Sequence, residues 1–568
     1  MYALLRAFGM VAPVVLSCFF PRALAASWPC RCFPGEACWP SPADWGAFNQ
    51  SVGGRLVATV PLGSVCHGNA SSFDAARCAT LKADWSTPET HTDSSSSVLA
   101  PFFANQSCDP FLPKDSPCVI GTYVQYAVDV SGVSDIQQTI AFARTRNIRL
   151  VVRNTGHDYL GKSTGAGGLA LWMHHLKTYS VHDYTSASYT GKAVTMGAGV
   201  QAGESAASAF EHGLTVVSGL SPTVGLAGGF TQGGGLGPLT TRYGLGADQV
   251  LEWHAVLSDG RIVTATPERN ADLFWALSGG GGGTFAVVYS MTVRAHINEM
   301  TTAANFSFSV AGSSDVLFQG LQAIHDIVPA ISDAGGTAVW SVLSDVVFVG
   351  PVTGPGLTRA TMDGILRPVL EKLHSLNITY SYSSRQFSSH YESLADFQPP
   401  TKSNGFQIGG RLMRRSDFTE KREGLVQAIR SIVNQGGLVT ASSFQLSSNQ
   451  TSRNSVNPEL RKSFVSLEIA VPWVESDWAL NLRNQDLITH KFVPALARLL
   501  PGGGSAYLNQ ADFREVRWQN VFYGSHYAKL LRLKQKYDAH GLFWGRTSVG
   551  SEQWFETEDK RLCRRRAL

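Results

Sequence analysis

The stretch Arg153-Asn154-Thr155-Gly156-His157-Asp158-Tyr159-Leu160-Gly161-Lys162-Ser163 carries several overlapping chemical signals. Gly156 to Ser163 spells G-x-x-x-x-G-K-S, a loop type whose amides and lysine hold nucleotide phosphates. That chemistry needs a helix directly after the lysine, with its N-terminus facing the phosphates. Thr164-Gly165-Ala166-Gly167-Gly168 follows instead, a poor helix start, which disfavours an NTPase. Gly161-Lys162-Ser163-Thr164-Gly165 matches G-x-S-x-G, but a hydrolase elbow sits between a strand and a helix, and neither flank fits. Gly165-x-Gly167-x-x-Ala170 imitates a dinucleotide fingerprint without its preceding strand or following helix. No metal site is expected: HExxH is absent, and His174-His175, alternating on a strand, cannot both face one ion.

These residues need a scaffold. Regular structure is predicted from Tyr123–Val130, a strand, followed by a helix over Ser134–Asn147. Ser134 or Asp135 would cap that helix, and Ile136, Ile140 and Ala143 share its buried face. Ile148–Arg153 is a short buried strand. From Gly156 to Gly283, apolar runs such as Val250–Leu257 alternate with glycine clusters at Gly165–Gly168, Gly225–Gly237 and Gly279–Gly283. Glycine lacks a Cβ and accepts positive φ, so such clusters let backbone amides approach a large ligand. Beyond about residue 300 the texture changes. Strands are predicted at Ala338–Val349, Gly405–Met413 and Phe464–Pro472, and helices at Ala360–Leu376, Phe418–Asn434 and Trp478–Leu500, an α/β lobe that would roof the ligand. Tyr527–Tyr537 reads as one more helix.

The Arg153–Tyr159 turn resembles the covalent flavin loop of the berberine bridge enzyme-like family, within the vanillyl-alcohol-oxidase (VAO) flavoprotein group. Ser221-Pro222-Thr223-Val224-Gly225 with Gly228-Gly229-x-x-x-Gly233-Gly234-Gly235 resembles its second flavin loop, and Ser278–Val288 its third. Tyr507-Leu508-Asn509, Trp518, Tyr523-Gly524 and Phe543 resemble its C-terminal signature. The resemblance runs over roughly residues 117–555 and is nearest to the fungal, secreted branch that includes isoamyl alcohol oxidase-like proteins. It implies an α+β, two-lobe VAO-type FAD-binding fold with an α/β substrate lobe. With the chain's own composition, this gives the expected segments 1–25 as a signal peptide, 26–117 as a disulfide-stapled extension and 118–300 as the FAD-binding domain. Residues 301–500 form the substrate domain, 501–555 a segment returning to the FAD domain, and 556–568 a basic tail.

The resemblance further implies FAD attached covalently through His157, with Arg153, Asn154, Thr155, Gly156, Asp158, Gly161, Ser163, Ser221, Thr223, Val224, Gly225, Gly228, Gly229, Gly233, Gly234, Gly283 and Asn509 around the cofactor. Members with two flavin bonds carry Cys where this chain has Ser221, so a single bond and a somewhat less oxidising flavin are expected. Val224 matches a position over the flavin face where a small residue admits O2, which favours an oxidase. Tyr507 is the expected catalytic base, provided its neighbours depress its pKa, and Glu468 is the reserve. The substrate would be a small alcohol or a secondary-metabolite intermediate, with O2 reduced to H2O2. The competing functions are a non-catalytic secreted binding protein on the same scaffold and the P-loop NTPase.

Composition agrees with a globular enzyme of more than one lobe: 568 residues, 44% hydrophobic and 16% charged. The net charge of +4 is carried by Lys560, Arg561, Arg564, Arg565 and Arg566, so no nucleic-acid partner is implied. Arg6, an apolar run from Ala7 to Phe20 and Ala23-Leu24-Ala25 read as a secretory signal, too short for a membrane anchor. An extracellular monomer is expected. Beyond Cys18, the cysteines at 30, 32, 38, 66, 78, 108, 118 and 563 suggest disulfides, with Cys108–Cys118 preferred and Cys66–Cys78 possible. A zinc reading of Cys30-x-Cys32 lacks partner ligands at finger spacing. Six N-x-S/T sequons, at Asn49, Asn69, Asn105, Asn305, Asn377 and Asn449, suit a glycosylated surface.

Overall fold

Leu150, Val151, Leu169, Ala170 and Leu171 are almost wholly buried, and runs of this kind form strands covered on both faces. Strand Arg149–Arg153 pairs in parallel with Gly168–Trp172, which pairs in parallel with Tyr126–Asp129. The computed structural model describes residues 30–312, 315–397, 405–446 and 454–565; the expected signal peptide, the sequon at Asn449 and Arg566 lie outside them. Leu56–Ala58 adds an antiparallel edge strand, giving the order Leu56–Ala58, Tyr126–Asp129, Gly168–Trp172, Arg149–Arg153. An antiparallel five-stranded sheet continues this lobe, from Tyr179–Thr185 through Thr190–Gly197, Val287–Arg294 and Val250–Val256 to Ile262–Ala265.

The first predicted helix spans Val133–Thr145, with Ile136, Ile140 and Ala143 buried. Its cap differs from the expectation. Gly132 occupies the N-cap, and Asp135, inside the first turn, accepts from Ser131 N at 2.9 Å and Arg55 Nε at 3.1 Å.

The second lobe is a seven-stranded antiparallel sheet. Its order is Tyr380–Phe387, Thr301–Ser309, Val346–Pro355, Thr337–Val342, Leu438–Ser443, Ser463–Pro472, Phe406–Arg414. Ala338, Trp340, Val439, Ala441, Leu467 and Ile469 point into a core shared with helices Asp315–Asp333, Arg359–Ser375 and Arg422–Val433. Because strand side chains alternate, Thr337, Val339, Ser442 and Glu468 face the other way. Two expected elements divide. Ala338–Val349 is a hairpin turning at 343–345, where Leu343 N bonds Val346 O. Trp478–Leu500 breaks into Trp478–Leu487, a wide π turn at Ile488–Phe492, and Val493–Ala497, next to Pro494, which has no N–H to donate.

The described parts of the N-terminal extension and of the basic tail are both tied to the first lobe. Helix Pro42–Ser51, opened by the Ser41/Asp44 capping box, stacks Trp45 on Tyr126 and Phe48 on Phe142, each at 4.2 Å between ring centres. At the other end, Leu562–Arg564 pairs with Trp554–Glu556, and Cys563 is bonded to Cys30. Cys66–Cys78 and Cys108–Cys118 form as the spacing suggested; Cys32–Cys38 completes the four bonds and leaves the Cys30-x-Cys32 thiols no metal to bind. A Cys30→Ser/Cys563→Ser variant is expected to lose about 2–5 kcal/mol of stability, read as a lower thermal transition at fixed scan rate. An unshifted transition would show the ends to be held by packing alone.

Candidate functional site

Strand Arg149–Arg153 ends at the mouth of a cavity of about 430 Å³, which both lobes line. Ligands in open sheets gather at the carboxyl ends of parallel strands, where the connecting loops can shape a pocket. There the chain turns sharply through Gly156, at φ +87°. A Cβ on Gly156 would lie 3.0 Å from the Arg153 guanidinium, which packs beneath the turn. Arg153 is wholly buried and does not reach the cavity, contrary to its expected place around the cofactor. Its Nη2 donates to the carbonyls of His91 (3.0 Å) and Ser94 (2.8 Å), and burial pushes its pKa down to about 9. Gly161 is also displaced, packing against Phe103 on the outer side.

Asn154, Thr155, Gly156, His157, Asp158 and Ser163 line the cavity. The His157 imidazole shares a hydrogen bond from Nε2 with Thr223 Oγ1 at 2.7 Å. Burial, and secondarily His91, lowers its pKa to about 4, so the ring is neutral at ordinary pH. Thr223 stands behind the ring rather than in the cavity wall, which Ser221, Val224, Gly225, Gly228 and Gly229 form. Gly225 has no room for a side chain: a Cβ would meet Asn154 Nδ2 at 2.2 Å. Gly233 and Gly234 lie behind the wall, Gly233 against Asn509 and Gly234 against Tyr507. Gly283 lines the cavity with Gly282.

Tyr507, Asn509 and Glu468 share this cavity, as their types suggested. The Tyr507 hydroxyl accepts from Asn509 Nδ2 at 2.7 Å and from the N–H groups of Gly235 and Leu236 at 3.2 and 3.3 Å. Asn509 Nδ2 also donates to Gly229 O at 3.0 Å. The condition set for Tyr507 as base, a depressed pKa, is not met. Burial raises its pKa, and these donors offset that only in part. Glu468 is pushed up to about 7 by burial, with partial relief from a hydrogen bond to Gln510. Tyr159 is raised by burial and by the neighbouring Glu468.

Sequence reasoning missed Tyr159, Lys162, Gln232, Phe444 and Gln510, all in the wall. Tyr159 and Lys162 sat inside the motif already singled out, and Gln510 directly follows Tyr507-Leu508-Asn509. For Gln232 and Phe444 no local signal exists. No helix follows Lys162: strand Gly168–Trp172 comes next, as an NTPase would not allow. His174 and His175 lie in the turn after that strand, not on it. His174 Nε2 is 3.5 Å from Asp93, and His175 Nδ1 is 2.6 Å from Asp129. Among the described residues no helix is long and apolar enough to cross a membrane.

The wall fits a large polar ligand such as FAD. Asn154 Oδ1, Ser221 Oγ and Gln232 Oε1 are buried without partners, although a polar group left so costs about 1–3 kcal/mol. The N–H groups of Gly156, His157, Gly282 and Gly283 also find no acceptor among the described residues. Donors and acceptors thus converge on one space, at glycines that keep its walls thin.

A family profile described as "FAD binding domain" matches residues 124–266, and one described as "Berberine and berberine like" matches residues 506–550. The FAD-linked oxidoreductase sor8 of Hypocrea jecorina is 71% identical, over 99% of this chain and 100% of that one. The crystal structure of the VAO-type flavoprotein MtVAO615 from Myceliophthora thermophila C1 superposes with a TM-score of 0.90 at 38% identity, covering 94% of this chain and 100% of that one. A glucooligosaccharide oxidase from Acremonium strictum, described as carrying a 6-S-cysteinyl, 8α-N1-histidyl FAD, shares the fold. It has a TM-score of 0.61 at 20% identity, over 75% of this chain and 92% of that one.

Proposed function

Because the chain belongs to the berberine bridge enzyme-like, VAO-type family of FAD-linked oxidoreductases, we propose that it is an oxidase whose FAD is attached through His157. Bound FAD would take a hydride from a substrate carbon bearing oxygen or nitrogen and pass the electron pair to O2, which leaves as H2O2. The substrate is a small alcohol or a biosynthetic intermediate, met outside the cell by a monomer. Four disulfides suit that oxidising setting.

The observation that carries this reading is the state of His157. Its ring is neutral, Thr223 engages Nε2, and Nδ1 has no partner among the described residues. A neutral imidazole that donates Nε2–H to Thr223 keeps its lone pair on Nδ1, the nitrogen free to bond carbon. The histidyl attachment in the glucooligosaccharide oxidase supports the same role, and Ser221 leaves no thiol for a second bond. Thr223→Val, which keeps the shape and deletes the hydroxyl, is expected to slow attachment about three- to tenfold, given the worth of one hydrogen bond. In-gel flavin fluorescence of protein sampled over time after FAD addition measures this; an unchanged rate removes Thr223 from the account.

Glu468 replaces Tyr507 as first choice for the base. A carboxyl titrating at about 7 takes a proton readily near neutrality, whereas the Tyr507 phenol lies above its ordinary value. With N–H donors already filling its oxygen, Tyr507 has its own proton left to offer, and it holds the substrate oxygen. Asn509 fixes the phenol.

Anaerobic addition of a substrate from an alcohol panel should bleach the flavin absorbance, and air should restore it with one H2O2 per flavin. A bleached protein that recovers with a redox dye but not with air is a dehydrogenase instead.

A further inference from the structure

The lysine of the misleading G-x-x-x-x-G-K-S match still has to be accounted for. Lys162 lines the main cavity and a small adjoining one walled by Val152, Gly282, Gly283, Phe543 and Ser548. Its ammonium group makes no hydrogen bond or ion pair among the described residues. The nearest carboxylate, Asp158, is occupied by the N–H groups of Leu160 and of Lys162 itself. Nζ lies 3.5 Å from where a Cβ on Gly281 would stand. The turn beside it alternates conformations, with Gly281 at φ +94° and Gly283 at φ +62°, a backbone concavity of the kind that collects anions. The Gly282 and Gly283 N–H groups are unclaimed among the described residues. On the far side Ser548 Oγ, 1% exposed for the residue, is buried with no partner. Gly545 separates the two side chains: a Cβ there would meet Lys162 Cγ at 2.9 Å and Ser548 Oγ at 3.1 Å. A cation and a glycine turn with free amides therefore border the main cavity side by side, with no carboxylate bonded to either, and the buried hydroxyl stands behind them.

We infer that Lys162 is the charge that anchors the diphosphate of FAD, assisted by the Gly281–Gly283 turn. The lysine does what its motif advertises, pairing with phosphate, but through a strand-loop geometry rather than a helix N-terminus. Burial lowers the ammonium pKa, opposed by Asp158, and a dianionic partner would raise it again. This assignment rests on FAD as the cofactor and not on the attachment at His157, so the two are tested apart.

The test uses the full chain with His157→Ala, alone and combined with Lys162→Met or Lys162→Arg, stripped of flavin and titrated with FAD and with riboflavin, which has no phosphate. Flavin fluorescence reads the affinity. Lys162→Met is expected to weaken FAD about ten- to hundredfold while riboflavin stays within about twofold, and Lys162→Arg to retain most FAD affinity. Unchanged FAD affinity overturns the assignment. So does parallel loss of both flavins, which would put the ammonium against the ring or mean a collapsed cavity. In protein that keeps His157, Lys162→Met should lower the fraction of chains carrying FAD by intact mass, and Lys162→Arg should restore it. Full occupancy in Lys162→Met again overturns the proposal.

Discussion

Acid precipitation of a His157→Ala variant is expected to leave a white pellet and all flavin in the supernatant, whereas the unaltered protein comes down yellow and fluorescent. The expected change is from essentially complete attachment to none. The competing nucleophiles are poorly suited. All eight cysteines of the described residues are consumed in disulfides, so no thiolate is available. Ser221, at the position where a second bond would be sought, is a hydroxyl and essentially un-ionised at neutral pH. Tyr159 is a buried phenol raised above its ordinary pKa, and so a weak nucleophile. The imidazole needs no such activation, since its pKa near 4 leaves the lone pair exposed at any pH at which the protein would work. Coloured pellet from the variant would assign the bond to another side chain, and a colourless unaltered protein would remove it altogether.

The second large effect concerns the proton. With Glu468 titrating near 7, the carboxylate that accepts a proton is scarce below that pH and abundant above it. Flavin reduction at limiting substrate should accordingly rise about tenfold from about pH 6 to about pH 8 and then level. Glu468→Gln, similar in shape but unable to accept the proton, is expected to slow reduction about 10²- to 10⁴-fold and to flatten that rise. Stopped-flow reduction under anaerobic conditions measures both. Were Tyr507 the base, its raised phenol would delay the rise to strongly alkaline pH, and Glu468→Gln would keep the same profile. The shape of the curve therefore separates the two residues even where both substitutions are slow.

The flavin turn was legible because its information is local. Buried strand, Gly156 and His157 are contiguous, and a positive φ beside a small loop needs glycine whatever else surrounds it. Helix Tyr527–Tyr537 agrees residue for residue, since its apolar spacing and its packing point the same way. What failed was decided at a distance. Arg153 is polar and adjacent to the site, but carbonyls from residues 91 and 94 draw it under the turn. Alternation assigns Glu468 to one face of its strand without saying that the other lobe closes over it, and that burial is what shifts its pKa and that of Tyr507. Lys162 is illegible in its motif because the helix that motif calls for is absent, while the glycine turn it meets lies more than a hundred residues away.

The bond between Cys30 and Cys563 spans 533 positions, and this bears on how the protein is made. Cys30 emerges from the ribosome long before its partner exists, close to Cys32 and Cys38, which can capture it in the meantime. Correct pairing must therefore wait for translation to pass Cys563, or be reached by reshuffling once it has. Yield in a heterologous host should therefore depend on disulfide isomerase supply more than the short-range pairs alone would require.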